Sequence, residues 1–339
     1  MSIRRIYNWQ RQPDDDRDFK STRHLRAAGV TLPSEYELPI KVPVYDQYDL
    51  GSCTSNAGSL CYRYEWAQLF NNFEYEPSRL YLYYNTRVIE GTPSEDSGAY
   101  IRDVFKALKN NGLAEEKYFP YIVSTFANKP SAAAYQNGQK YQTARYTAVD
   151  QSLDIIKQTV FSGAAVEFGF DVYASFESGN WDSTTGIMPI PKKGESLLGG
   201  HAVAIIGWSD AKQCFLIQNS WGESWGLNGR FWMPYSYALD SKHADDFWCI
   251  DEIKVVGDVP PAPDPVVPAT VLTIAKQLFT TGKDLYAVNK PTLLALGVLL
   301  NLPVDPNLNF KKNYNIIAPV LGLATRKSII ARIGQWLES

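Results

Sequence analysis

The chain has 339 residues, 45% of them hydrophobic, 13% aromatic and 20% charged, with a formal net charge of −3. That is a globular composition, long enough for more than one domain, and its charge gives no general argument for nucleic acid as a partner. No uncharged apolar run reaches the length of a membrane span (the longest covers residues 291–302), and four cysteines without a CxxC spacing suggest neither a disulfide scaffold nor zinc.

Residues 1–32 are polar and charge-dense, with Pro13, Asp15, Asp16, Arg17 and Asp18 in the middle and Trp9 and Phe19 as the large apolar anchors. The first ten residues are basic but lack the apolar core of a secretory signal. A domain is expected over 33–257. Near its start, Gln47-Tyr48-Asp49-Leu50-Gly51-Ser52-Cys53 leads into apolar positions at Ala57, Leu60, Cys61, Tyr64 and Ala67, the spacing of a buried helix. Ser52 stands where a cap would, which puts Cys53 in the first helical turn. Asp96-Ser97-Gly98-Ala99 precedes a second helix at 100–110.

Further along, residues 164–170, 201–208, 214–219 and 229–233 are short, apolar or aromatic, and separated by Gly, Asp and Ser; they read as strands. Gly199-Gly200-His201-Ala202-Val203 and Gln218-Asn219-Ser220-Trp221-Gly222 lie at the ends of two of them. Residues 258–268 are rich in proline and read as an extended linker. Beyond it, 269–339 carries a helical stripe at Ile329, Ile330, Ile333, Trp336 and Leu337 and reads as a small helical module. From residue 266 onward there are eight Lys/Arg against three Asp/Glu, a basic balance too diffuse to choose a partner.

A cysteine nucleophile needs a histidine to take its proton and a third group to orient the imidazole. Cys53, His201 and Asn219 supply that set, the His 148 and the Asn 166 residues after the Cys, so only a folded chain joins them. Gln47 can donate to an oxyanion together with the Cys53 N–H, which is free at a helix start. Gly51 and Ser52 let the backbone approach a substrate, and Trp221 is positioned to shield the His–Asn bond from water. Of the other histidines, His24 falls in the charged N-terminal region and His243 in an acidic stretch at 240–246; both read as surface residues.

With these segments the chain resembles the papain-like cysteine peptidases, across about residues 30–257. The resemblance implies an α+β two-lobed fold, a helical lobe carrying Cys53 and a β-barrel-like lobe carrying His201 and Asn219. It implies amide hydrolysis through a thiolate held low in pKa, with no cofactor or metal. Gly98 matches the glycine that pairs with substrate backbone, Gly200 flanks the histidine in the cleft, and Ser224-Trp225-Gly226 matches a segment in which Trp225 lines the leaving-group side. Tyr118-Phe119-Pro120-Tyr121 matches the family's Tyr-Pro-Tyr stretch. Leu50 and Thr54 replace the usual Cys and Trp beside the nucleophile. That excludes the usual nearby disulfide and points to a bacterial or viral branch in a reducing compartment, cytoplasmic or associated with a host cell or virion. Residues 1–32 are expected to act as a pro-like, inhibitory segment lying in or across the cleft. The partners expected are a peptide or protein substrate, this segment, and an unidentified partner or second copy for the C-terminal module. A different thiol acyl transferase or isopeptidase, or an inactive binding homologue, remain alternatives; the first usually pairs His with Asp, and the second usually loses one of the four residues.

Overall fold

The computed structural model describes residues 5–13, 15–27, 31–70, 74–177 and 185–256. The expected linker at 258–268 and helical module at 269–339 lie outside the described residues. Among the described residues no helix is long and apolar enough to cross a membrane.

Three helices build one lobe. Helix α1 (Cys53–Phe70) is buried from Cys53 to Ala67 on every face, not along one stripe, because it runs between the other helices and the sheet. Small residues permit this. A Cβ on Gly58 would come within 2.5 Å of Val104 on helix α3 (Ile101–Asn110), so the two helices approach closely only with glycine there. Helix α2 (Arg79–Glu90) is capped at both ends: the Ser78 hydroxyl accepts from the Tyr81 N–H at 3.1 Å, and Gly91, at φ 78°, turns its N–H back onto the last carbonyls. In α3, Val104, Phe105 and Leu108 form the buried face, with Asp103 in the first turn and Lys109 in the last, each favoured by the helix dipole.

The second lobe is an antiparallel sheet of seven strands. These are β1 (Glu35–Glu37), β2 (Tyr141–Ala148), β3 (Val166–Tyr173), β4 (Leu197–Ser209), β5 (Cys214–Gln218), β6 (Arg230–Pro234) and β7 (Ala244–Val255). The order is β2-β7-β3-β4-β5-β6, with β1 paired to β4. Four of these strands fall where the sequence places them. The acidic stretch before residue 247 proves to be the start of β7, which pairs with both β2 and β3. The core joins both lobes: Cys53, Leu60, Tyr64, Val104 and Phe105 share one cluster with Phe168, Phe170, Val203 and Phe231. The mixed helical and antiparallel architecture is the two-lobed α+β fold expected.

The N-terminal segment does not form a separate body. Residues 5–12 cross the junction of the lobes, with Asn8 bridged to Gly200 and Trp9 to Ala99. Residues 19–27 then run down the back: Ser21 N–H donates to the Ala148 carbonyl (2.7 Å), and Arg23, 1% exposed, pairs with Glu65 of α1 and Asp251 of β7.

Candidate active site

Cys53 opens α1. The Ser52 carbonyl accepts the first intrahelical bond, from Asn56 N–H at 3.0 Å, so Ser52 holds the cap position. Its hydroxyl is used differently from the expected cap, meeting the Tyr121 hydroxyl at 2.6 Å and the Asn56 side-chain amide at 3.0 Å. The turn before it is tied down by a carboxylate: Gly51 N–H donates to both oxygens of Asp96 at 3.0 Å, and the Tyr83 hydroxyl donates to the same carboxylate. Tyr83 oxygen in turn accepts from Gly98 N–H at 3.2 Å. One Tyr–Asp pair therefore fixes the glycine beside the nucleophile relative to the glycine of the opposing loop.

Gln47 is held from three sides. Its Oε1 accepts from Ser220 Oγ (2.7 Å), its backbone N–H donates to the Ser220 carbonyl (2.9 Å), and Nε2 donates one hydrogen to the Leu50 carbonyl (2.9 Å). The second Nε2 hydrogen is left for another acceptor. Leu50 is 2% exposed and packs with Leu80 and Tyr83, so an aliphatic side chain fills the space beside the nucleophile, and all four cysteines are unpaired and buried.

His201 and Asn219 come from neighbouring strands. His201 lies in β4 opposite Phe170 of β3, and Asn219 follows β5. His201 Nε2 and Asn219 Oδ1 are 2.8 Å apart, and the same oxygen accepts from the Ser220 backbone N–H at 2.8 Å. A backbone N–H can only donate, which fixes the amide oxygen in this place and therefore the proton on Nε2. Nδ1 is left bare, buried and without a hydrogen-bond partner. Trp221 stacks on the imidazole, centroids 4.8 Å apart, and covers the His–Asn bond.

The arm crosses directly over this set. Tyr7 meets His201 edge-on at 6.2 Å, and the Arg5 guanidinium lies 3.9 Å above the Trp221 ring. A Cβ on Gly98 would come within 2.1 Å of the Asn8 carbonyl oxygen, one on Gly51 within 2.6 Å of the Asn8 amide, and one on Gly200 within 2.3 Å of the Trp9 carbonyl oxygen. The arm thus occupies the three glycine positions expected to receive a substrate backbone. Burial pushes the Cys53 thiol up to about 11, against the opposing backbone N–H groups of Ala202, Thr54 and Asn8. Burial likewise lowers His201 to about 4, against the Asn219 bond and together with the Arg5 charge. The thiolate that the resemblance implies is therefore not the form favoured beneath the arm, because burial outweighs those backbone N–H groups.

The structure brings Cys53, His201, Asn219, Gln47, Gly51, Ser52, Gly98, Gly200 and Trp221 to one junction. Trp225 sits at its side, half-buried and edge-on to Trp221 at 4.9 Å, in an aromatic cluster with Phe176 and Phe231. His24 and His243 are half-buried, not surface residues as expected; His243 stacks on Tyr237 at 4.8 Å. Sequence reasoning passed over Asp96, Tyr83, Ser220 and Asp246. Asp96 stands two residues before the noted Gly98, and that adjacency was the available signal.

A profile describing papain family cysteine proteases matches residues 86–244. An uncharacterized peptidase C1-like protein of Acanthamoeba polyphaga mimivirus is 38% identical over 224 residues, 64% of this chain and 72% of that protein. A cathepsin B-like cysteine proteinase of Schistosoma japonicum is 36% identical over 104 residues, 29% of this chain and 28% of its own. Among solved structures, xylellain, a cysteine protease from Xylella fastidiosa, shares 38% identity at a TM-score of 0.67, covering 76% of this chain and 99% of that one.

Proposed function

The chain belongs to the papain family of cysteine proteases, and from that premise we propose that it hydrolyses peptide bonds with Cys53 as nucleophile, restrained by its own residues 5–12. The observation that carries this reading is the His201–Asn219 pair, 2.8 Å apart beneath Trp221, with Nδ1 bare. Such an imidazole is an oriented base. Once the arm leaves, water re-enters and the desolvation that raised the thiol falls away. Cys53 then gives its proton to His201 Nδ1, and the sulfur attacks the scissile carbonyl. The oxyanion is received by the Cys53 N–H and the remaining Nε2 hydrogen of Gln47. His201 returns the proton to the leaving amine, then takes one from water as that water attacks the thioester and frees the acid and the thiol.

The test is turnover of a peptide substrate by the full chain and by Trp9→Ala, which loosens the arm. Faster turnover by Trp9→Ala, and none by that variant carrying Cys53→Ala or His201→Ala, is the expected result. Substantial turnover by Cys53→Ala overturns the nucleophile; equal rates with and without Trp9 overturn the restraint.

A further inference from the structure

Gly51, in the turn that carries the nucleophile, and Asp96, in the loop that carries Gly98, are 45 residues apart in the chain. No disulfide joins them, because all four cysteines are free. A carboxylate links them instead. It can only accept, and its oxygens take the Gly51 N–H at 3.0 Å and the Tyr83 O–H. The single hydroxyl proton of Tyr83 is thereby committed to Asp96, and the Tyr83 oxygen is left to accept from Gly98 N–H at 3.2 Å. Donors and acceptors therefore run one way, from Gly98 through Tyr83 to Asp96, and each bond in such a chain polarises the next. Asn8 of the arm sits at the same two points. Its side-chain amide donates to the Asp96 carbonyl at 3.0 Å, and its own carbonyl oxygen lies against Gly98.

The loop's own shape has separate supports. Arg87, buried on α2 one turn beyond Tyr83, donates to the Pro93 and Glu95 carbonyls at 2.9 Å and 2.6 Å, and Ser97 Oγ meets Thr92 Oγ1 at 2.8 Å. These bonds fold residues 92–97 onto α2 without the Asp96 side chain, which faces across to Gly51. We propose that Asp96 is a positioning residue for catalysis: it registers the Cys53 turn against Gly98, through Tyr83, so that a peptide laid on Gly98 meets the sulfur at attacking distance. This rests on the cleft reading above and adds the group that sets the spacing between bound backbone and nucleophile. A misplacement of about 1 Å at such a contact can cost about a hundredfold in rate. An amide at position 96 cannot stand in for the carboxylate, because its NH2 end would face the Gly51 N–H, donor against donor.

The experiment uses the full chain carrying Trp9→Ala, alone and with Asp96→Asn or Tyr83→Phe added, and follows two reactions of Cys53. One is turnover of a blocked peptide with a fluorescent amide leaving group, which lies along Gly98. The other is alkylation by iodoacetamide, which is too small to do so. Tyr83→Phe cuts Gly98 from Asp96 but leaves the Gly51 bond. It is expected to lower kcat/KM by about fivefold, mainly through KM, and to change the alkylation rate by less than about twofold. Asp96→Asn undoes both contacts and is expected to lower kcat/KM by about thirtyfold, kcat included, and to slow alkylation as well. General loosening of the fold would lower both reactions together, so an equal loss of both in Tyr83→Phe overturns the proposal. An Asp96→Asn kcat/KM within about twofold of its parent overturns it too. Should Asp96→Asn lack a cooperative thermal transition, the Tyr83→Phe split decides alone. If the Trp9→Ala parent neither cleaves peptide nor is alkylated, the reading of the site fails and this inference with it. If the parent does both and Tyr83→Phe shows no split between them, this inference fails alone.

Discussion

Residues 5–12 and residues 18–27 belong to one short segment yet are held by different physics. The first stretch lies on glycines, held by one backbone bond from Trp9 to Gly200 and by side-chain contacts of Asn8, Trp9, Arg11 and Gln12 at the rim of the cleft, and its Arg11 is 35% exposed. The second is tied by buried charge. Arg102 Nε donates to Asp18 at 3.0 Å, Phe19 and Ser21 bond to Ala148 of β2, and Arg23 sits between Glu65 and Asp251 with all three side chains at 5% exposure or less. Removing one member of such a buried group leaves uncompensated charge and costs about 3–5 kcal/mol, a large part of a typical stability of about 5–15 kcal/mol. A segment can therefore be detachable at one end and integral at the other, and the whole 1–32 stretch need not behave as one removable pro-segment.

Truncation breaks this comparison most severely. Deleting residues 1–12 should leave a cooperatively folded protein with increased peptidase activity. Deleting residues 1–27 should leave Glu65 and Asp251 without their buried cation and give no cooperative thermal transition. Equal melting temperatures for the two truncations, by calorimetry, remove the distinction. Point substitutions sharpen it: Arg23→Ala should destabilise the full chain by about 3–5 kcal/mol in denaturant titration. Trp9→Ala should shift that midpoint far less while speeding hydrogen exchange across residues 5–12.

A smaller effect is expected from pH. Burial, and then the Asp245 charge, pushes the Asp246 carboxyl up to about 7, and burial raises Glu167 as well. Both titrate near 4 in an unfolded chain, so the folded protein holds protons that the unfolded one has released. The stabilisation from Asp246 is fully present below about pH 4 and is lost progressively as pH rises through about 7, and that from Glu167 is lost in the same direction. His201, lowered to about 4, works the other way: its contribution is present above about 6.5 and is lost as pH falls toward 4. Asp246→Asn removes one titrating acid without touching the histidine, so its melting temperature should fall less steeply between pH 5 and 8 than that of the parent chain. Parallel curves would contradict the assignment of the buried proton to Asp246. The smallest effect is expected from Ser52→Ala, which loses the bonds to Tyr121 and Asn56 and should cost about 1 kcal/mol, read by the same denaturant titration.

Much of the reaction centre was legible because it depends on local pattern. A strand expected to open on a histidine, a period-two strand ending in an asparagine, and a helix opening on a cysteine are written in adjacent residues, and β4, β5 and β6 formed about where the pattern put them, β4 starting four residues before His201. What was not legible depends on partners distant in the chain. Asp246 lies in a run of polar residues that looks solvated until β7 pairs with β3 and turns it beneath Trp9, 237 residues away. Glu167 looks like an ordinary polar position of an exposed strand, yet it faces Gly58 of α1. Gly169 has no motif; its meaning lies in the ring that fills the missing side chain.

The orientation of Asn8 has a consequence for the lifetime of the closed form. The backbone of residue 8 hydrogen-bonds the sulfur, and its carbonyl oxygen lies against Gly98. Nucleophilic attack requires a carbonyl carbon presented to the sulfur, so under the proposed restraint a chain held this way would rest on its own thiol without being consumed there. On the proposed reading the arm would be a stopper that can be withdrawn and replaced, and the count of active molecules would track how often it lifts, not how many have been cut.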